Sequence, residues 1–161
     1  MSKQRQSDRK VRREDPSLIY VAGRVTQGIK TQMRSALAAW DLSISEYTTL
    51  SVLRNRPGLS NAQLARRAMI TPQSMIEVLA KLERRELVHR EVDPDHQRIL
   101  RAQLTRSGEA LLEEADPEID GIQDRMLSGV PVRERQIALR VLTQAMDALS
   151  GGRNGHLHQA E

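Results

Sequence analysis

His89 and His96, seven positions apart, are side chains that could hold a metal or move a proton. No third ligand stands at metal spacing beside them, and His156 and His158 sit in a Gly-rich tail, GGRNGHLHQAE. Glu109, Glu113, Glu114, Asp116, Glu118 and Asp120 could pair for general acid–base work. Their helical spacing reads instead as a solvated face. There is no Cys, which excludes disulfides, thiolate metal sites and thiol redox chemistry. No Gly-rich phosphate loop or nucleophile motif is present. The expectation is no catalytic centre, no metal and no cofactor.

What remains is the chemistry of hydrogen bonds and charge. The net charge of +4 hides a segregation. Residues 1–13 (MSKQRQSDRKVRR) carry +5, residues 54–106 carry a further +5, and everything else sums to −6. Two basic blocks on an acidic frame suggest a polyanion met by one part of the molecule. The N-terminal block has a plainer reading as a disordered solubilising tail. The central block coincides with a motif.

The elements that would position such a motif are helical. Aromatic residues are 2% of the 161 and Phe is absent, so the core must be aliphatic. Residues 16–40 open with Pro16-Ser17 and show helical spacing from Ile19 to Trp40. Asp41-Leu42-Ser43 breaks the pattern. Ser45 or Ser43 caps a second helix, which ends at Pro57-Gly58. Ser60-Asn61-Ala62-Gln63 fits a capping box opening a third. Thr71-Pro72 supplies an N-cap and a first-position proline for a fourth, running to about Arg85.

Leu87 to Val92 and Ile99 to Thr105 then alternate as two strands around the tip DPDHQR. Thr105 caps a fifth helix that Pro117 should kink. Gly129-Val130-Pro131 separates it from a sixth. No apolar run approaches the roughly 20 residues of a membrane span. A soluble cytoplasmic protein is expected.

The third and fourth helices are short and closely joined. Leu64, Ala65, Ala68, Ile70, Met75 and Val78 carry the spacing of a helix-turn-helix. With Met75, Val78, Leu79 and Leu82 inward, the fourth helix turns Gln73, Ser74, Glu77 and Lys81 outward, as a major-groove reader requires. A hairpin directly after such a helix is a wing, its tip reaching over the DNA backbone toward the minor groove. Two roles are open to Arg98 at that tip. It enters the minor groove, where negative potential concentrates, or it pairs with Asp93 or Asp95 to stiffen the turn.

With the order of six helices, the stretches "LSNAQLARRAMITPQSMIEVLAKLERRELVHR" and "DPDHQRILRAQLTRSG" resemble the MarR family of bacterial winged helix-turn-helix regulators, over about residues 18–149. The resemblance implies a mainly α fold with a small β-wing and a helical dimerisation region. It implies a homodimer on a near-palindromic double-stranded DNA operator, and repression relieved by a small, often aromatic effector. The candidate DNA-binding residues are Ser60, Asn61, Gln63, Thr71, Gln73, Ser74, Glu77, Lys81, His96, Gln97 and Arg98. A ligand pocket between the dimer arms and the DNA-binding lobe would draw on Tyr20, Arg24, Trp40 and Tyr47. Trp40 and Tyr47 have a second reading as core anchors.

Two departures from the family pattern stand out. His96 occupies the second Asp position of the usual Asp-x-x-Asp-x-Arg wing, so that Asp95 supplies the carboxylate or His96 meets phosphate itself. Glu86 replaces the usual glycine after the recognition helix, with mild strain if the left-handed conformation persists. The domain reading is a disordered basic arm at 1–15, a dimerisation region at 16–42 and 106–150, a winged lobe at 43–105 and a disordered tail at 151–161. The competing reading is a non-enzymatic helical dimer used for protein interaction, although such a scaffold has no need of a central +5 block.

Overall fold

A computed structural model describes residues 16–149. The expectations of a disordered arm at 1–15 and a disordered tail at 151–161 lie outside the described residues. The chain separates into two compact units, one reaching Ile122 and the other starting at Gln123.

In the first unit, α1 (Leu18–Leu37) begins where the Ser17 hydroxyl accepts from the Tyr20 amide. A 3-10 turn, Ala38–Trp40, closes it. Helix α2 (Ile44–Asn55) is capped by Ser43 and not Ser45. Glu46, three residues on, reaches back to the Ser43 amide at 2.7 Å and completes a capping box. Strand β1 (Leu59–Ser60) was not expected, because two residues are too few to show an alternation.

Helices α3 (Asn61–Arg67) and α4 (Pro72–Arg84) follow their expected caps. Ser60 and Gln63 close a reciprocal box, and the Thr71 hydroxyl accepts from the Ser74 amide at 3.0 Å. Strands β2 (Val88–Val92) and β3 (Leu100–Leu104) form the hairpin. The sheet is antiparallel in the order β1-β3-β2, with Arg90 opposite Ala102 and Ser60 opposite Arg101.

Three helices end alike. The amide of Leu42, Ile70 or Leu87 donates to the carbonyl five residues back, at 3.2, 3.0 and 3.0 Å. In each case the preceding residue is left-handed: Asp41 (φ 49), Met69 (φ 54) and Glu86 (φ 56). The glycine-free ending expected at Glu86 is present, and the sequence reading missed its two counterparts.

The core lies where α2, α3, α4 and the sheet meet, with Leu50, Leu53, Leu64, Met75, Leu79 and Leu82 almost wholly buried. Leu112 and Ala115 of α5 (Arg106–Met126) complete it, and α5 runs through Pro117 as one helix. Its first turn locks onto the base of the hairpin. The Thr105 hydroxyl accepts from the Gly108 amide and donates to the Glu86 carbonyl. A Cβ on Gly108 would stand 2.2 Å from the Leu87 carbonyl oxygen, so only glycine fits.

In the second unit, Gly129 (φ 77) and Pro131 turn the chain into α6 (Val132–Leu149). Arg135 holds that turn by donating to the carbonyls of Val130 and Leu127. No described residue of α6 is buried. Among the described residues, no helix is long and apolar enough to cross a membrane.

Candidate nucleic-acid interface

Buried Ala65 lets α3 and α4 approach, and the Asn61 amide nitrogen donates to the Pro72 carbonyl at 3.1 Å across the joint. Met75, Leu79 and Leu82 take the inner face of α4, leaving Gln73 and Glu77 exposed. Several predicted site residues act inside the motif. The polar groups of Ser60 and Gln63 bond to each other's backbone amides, and the Thr71 and Ser74 hydroxyls lie 2.8 Å apart. These groups stiffen the N-termini of α3 and α4, whose positive dipole ends suit phosphate oxygens. Gln63 and Thr71 are nonetheless exposed, as are Gln73 and Glu77 on α4 and His96, Gln97 and Arg98 on the wing.

Lys81 departs from its expected outward role. Its ammonium lies 3.1 Å from the Glu46 carboxylate on α2, and Glu46 is 2% exposed. The partner of Lys81 is thus a carboxylate on another helix and not Glu77, four residues before it on α4. The long lysine stem lets the head turn toward a buried carboxylate that helical spacing could not reveal. Burial raises the Glu46 pKa, but its bonds to Ser43 and Lys81 outweigh that and hold it below the usual carboxylate range.

On the wing, the pairing of Arg98 with Asp93 or Asp95, one of its two open roles, is not the one that forms. Asp93 pairs with Arg101, and no ion pair to Arg98 is present among the described residues. Asp93 is 1% exposed, and its Oδ1 accepts from the amides of Asp95 and His96 at 2.8 and 2.9 Å. Its Oδ2 takes the Arg101 Nε. The turn is therefore organised by the first Asp of the motif, whose partners at positions 95 and 96 are backbone amides. That is why His96 fits where a carboxylate is usual. Burial raises the Asp93 pKa, yet the Asp95 amide, Arg101 and the His96 amide together hold it below its ordinary value.

Sequence reasoning missed three contributors. Ile76 stands on the same exposed side of α4 as Gln73 and Glu77 and is 47% exposed. Its position outside the Met75–Leu79–Leu82 stripe was the available signal. Arg101 alternates with buried Ala102 on β3, but its reach to Asp93 left no local trace. Arg85, just past α4, donates to the carbonyls of Asp41 and Trp40, each at 2.8 Å, tying the end of the recognition helix to the α1–α2 turn.

The four candidate ligand residues take part in three separate hydrogen bonds. Arg24 donates to the Tyr20 hydroxyl at 3.1 Å on the exposed start of α1. Trp40 donates to Glu114 at 3.1 Å, and Tyr47 donates to Asp116 at 2.8 Å, both on α5. Asp116 also pairs with Arg54 at 2.5 Å. One member of the acidic cluster, Asp116, thus leaves the solvated face to hold α2, while Glu114 bonds the α1–α2 turn from an exposed position. Burial, reinforced by the bond to Asp116, pushes the Tyr47 phenol up to about 12.

Residues 42–100 match the MarR family. The HTH-type transcriptional repressor Rv2887 of Mycobacterium tuberculosis is 34% identical over 129 residues, covering 80% of this chain and 93% of the relative. The crystal structure of that M. tuberculosis protein in complex with DNA is similar at a TM-score of 0.68 and 32% identity, over 81% of this chain and 98% of that one. Its crystal structure in complex with salicylic acid is similar at 0.65 and 33%, over 82% and 98%. A match of 34% identity over 80% of this chain and 93% of the relative shows common descent, and the chain belongs to the MarR family.

Proposed function

We propose that this protein is a dimeric, sequence-specific DNA-binding repressor, cytoplasmic and without a catalytic step, that binds a near-palindromic operator and releases it when a small aromatic effector binds. The observation that carries this reading is the exposed face of α4, Gln73, Ile76 and Glu77, with a wing bearing exposed Arg98 on the same basic lobe. Gln73 suits adenine, Ile76 suits a thymine methyl and Glu77 suits the cytosine amino group. The amide ends of α3 and α4, together with Arg98, His96 and Gln97, meet phosphate and the minor groove.

Related M. tuberculosis Rv2887 has been solved with DNA and with salicylic acid, which supports an operator and an aromatic acid as the ligand classes. The effector region would include Trp40 and Tyr47, whose bonds to α5 an incoming acid would compete with. Residues 16–42 and 106–150 would build the dimer, and residues 43–105 the winged lobe. A gel-shift assay against DNA upstream of the protein's own gene tests the reading. A shifted band that survives competitor DNA and weakens with salicylate is expected. Binding that follows only length and salt would overturn it.

A further inference from the structure

We propose that Arg101 is a positioning residue for DNA binding, setting the wing against the helix-turn-helix so that Arg98 is delivered to the duplex. The inference rests on the DNA-binding reading and assigns a role to a residue outside the expected contact set. Arg101 lies on the central strand β3, opposite Ser60 of β1 on one side and Glu91 of β2 on the other. Its guanidinium has two engagements. Nε donates to Asp93, the carboxylate that gathers the amides of the wing tip, and Nη1 donates to the Gly58 carbonyl at 2.9 Å. Gly58 (φ 76) is the turn immediately before β1 and the N-cap of α3.

One planar side chain therefore bridges the wing tip and the start of the helix-turn-helix. The bridge matters because β1 contributes only two residue pairs to β3, which leaves the wing few backbone ties to that end of the lobe. The guanidinium fork can hold both partners at fixed angles, which an ammonium cannot. Without it, Asp93 keeps a buried charge with two amides alone, and the tip from Asp95 to Arg98 loses its anchor. Arg98 would remain present but unplaced.

A double-mutant cycle on operator DNA tests this, read together with amide hydrogen exchange at Asp95 and His96 in the free protein. Arg98→Ala should weaken operator binding by about tenfold in the wild-type background. In the Arg101→Met background the same change should cost less than about twofold, because Arg98 is already misplaced. Exchange at Asp95 and His96 should accelerate in Arg101→Met while amides in α2 stay protected. If Arg101→Met fails to fold, Arg101→Lys, which keeps the charge without the fork, carries the same cycle.

Additive losses would mean that Arg101 merely touches phosphate, and would overturn the proposal. Unchanged exchange at the wing tip would overturn it as well. Exchange needs no DNA, so accelerated exchange in a protein that selects no sequence would sink the DNA-binding reading and leave the bridge itself intact.

Discussion

Lys81 on the recognition helix reaches across to Glu46 on α2 and places its ammonium 3.1 Å from a carboxylate that is 2% exposed. The pair fastens α4 to the capping box of α2, since the same carboxylate accepts from the Ser43 amide. The lysine side chain is 42% exposed, so water screens part of the attraction. Lys81→Met should cost about 1–3 kcal/mol in urea unfolding, chiefly by leaving Glu46 under-satisfied. Adding Glu46→Gln should recover part of that loss. Unchanged stability with uniformly weaker DNA binding would make Lys81 a phosphate contact instead.

Gly108 seats the first turn of α5 on the Leu87 carbonyl, with room for no Cβ. Gly108→Ala should destabilise the protein by about 1–3 kcal/mol, because backbone must shift to admit the methyl. Ser107→Ala, at an exposed neighbouring position, serves as the control. Equal melting temperatures for the two variants would refute the close approach.

Asp93 and Glu46 both have folded pKa values held below the ordinary carboxylate range. A depressed folded value contributes stability that is complete above the unfolded value, about pH 4, and lost as pH falls through the folded one. Melting temperature should therefore drop on the acid side. Asp93→Asn and Glu46→Gln should each flatten that limb while leaving its neutral-pH slope alone. An acid limb that neither variant alters would place the sensitivity elsewhere.

Glu77 is exposed on a helix that faces phosphates in the proposed complex, and Lys81 is committed to Glu46. A carboxylate there is favourable only against a defined donor, and the cytosine amino group is one. Glu77→Gln keeps the shape and removes the charge. It should relax preference at one base pair per half-site and strengthen non-specific binding. Selection from randomised operators that returns the wild-type preference would reduce Glu77 to a surface charge.

Leu18 and Ile19 on α1 and Leu139 and Leu149 on α6 are largely exposed, apolar side chains that a second copy of the chain would cover in the proposed dimer. Light scattering at micromolar concentration should give twice the 18.2 kDa chain mass. Leu139→Glu should shift the population toward monomer and weaken operator binding with it. A monomeric wild type that still holds its operator tightly would rule out the dimer.

The local grammar of this protein was legible in its residues. Ser60 with Gln63, Thr71 with Ser74, and Thr105 with Gly108 each complete a cap within three residues, so the chain itself brings donor to acceptor. The stripe of Met75, Leu79 and Leu82 fixed the inner face of α4 and hence exposed Gln73 and Glu77. Partners distant in sequence carried no such mark. Lys81 meets Glu46 from 35 residues away, Arg101 meets Gly58 from 43, and Tyr47 meets Asp116 from 69. A long charged side chain sweeps several ångströms, and any of several carboxylates would satisfy it. Packing alone decides which one lies within reach and out of water. Spacing therefore determined which helices form and which faces turn outward, while tertiary structure decided that Lys81 braces the core and that Arg101, not Arg98, secures the wing.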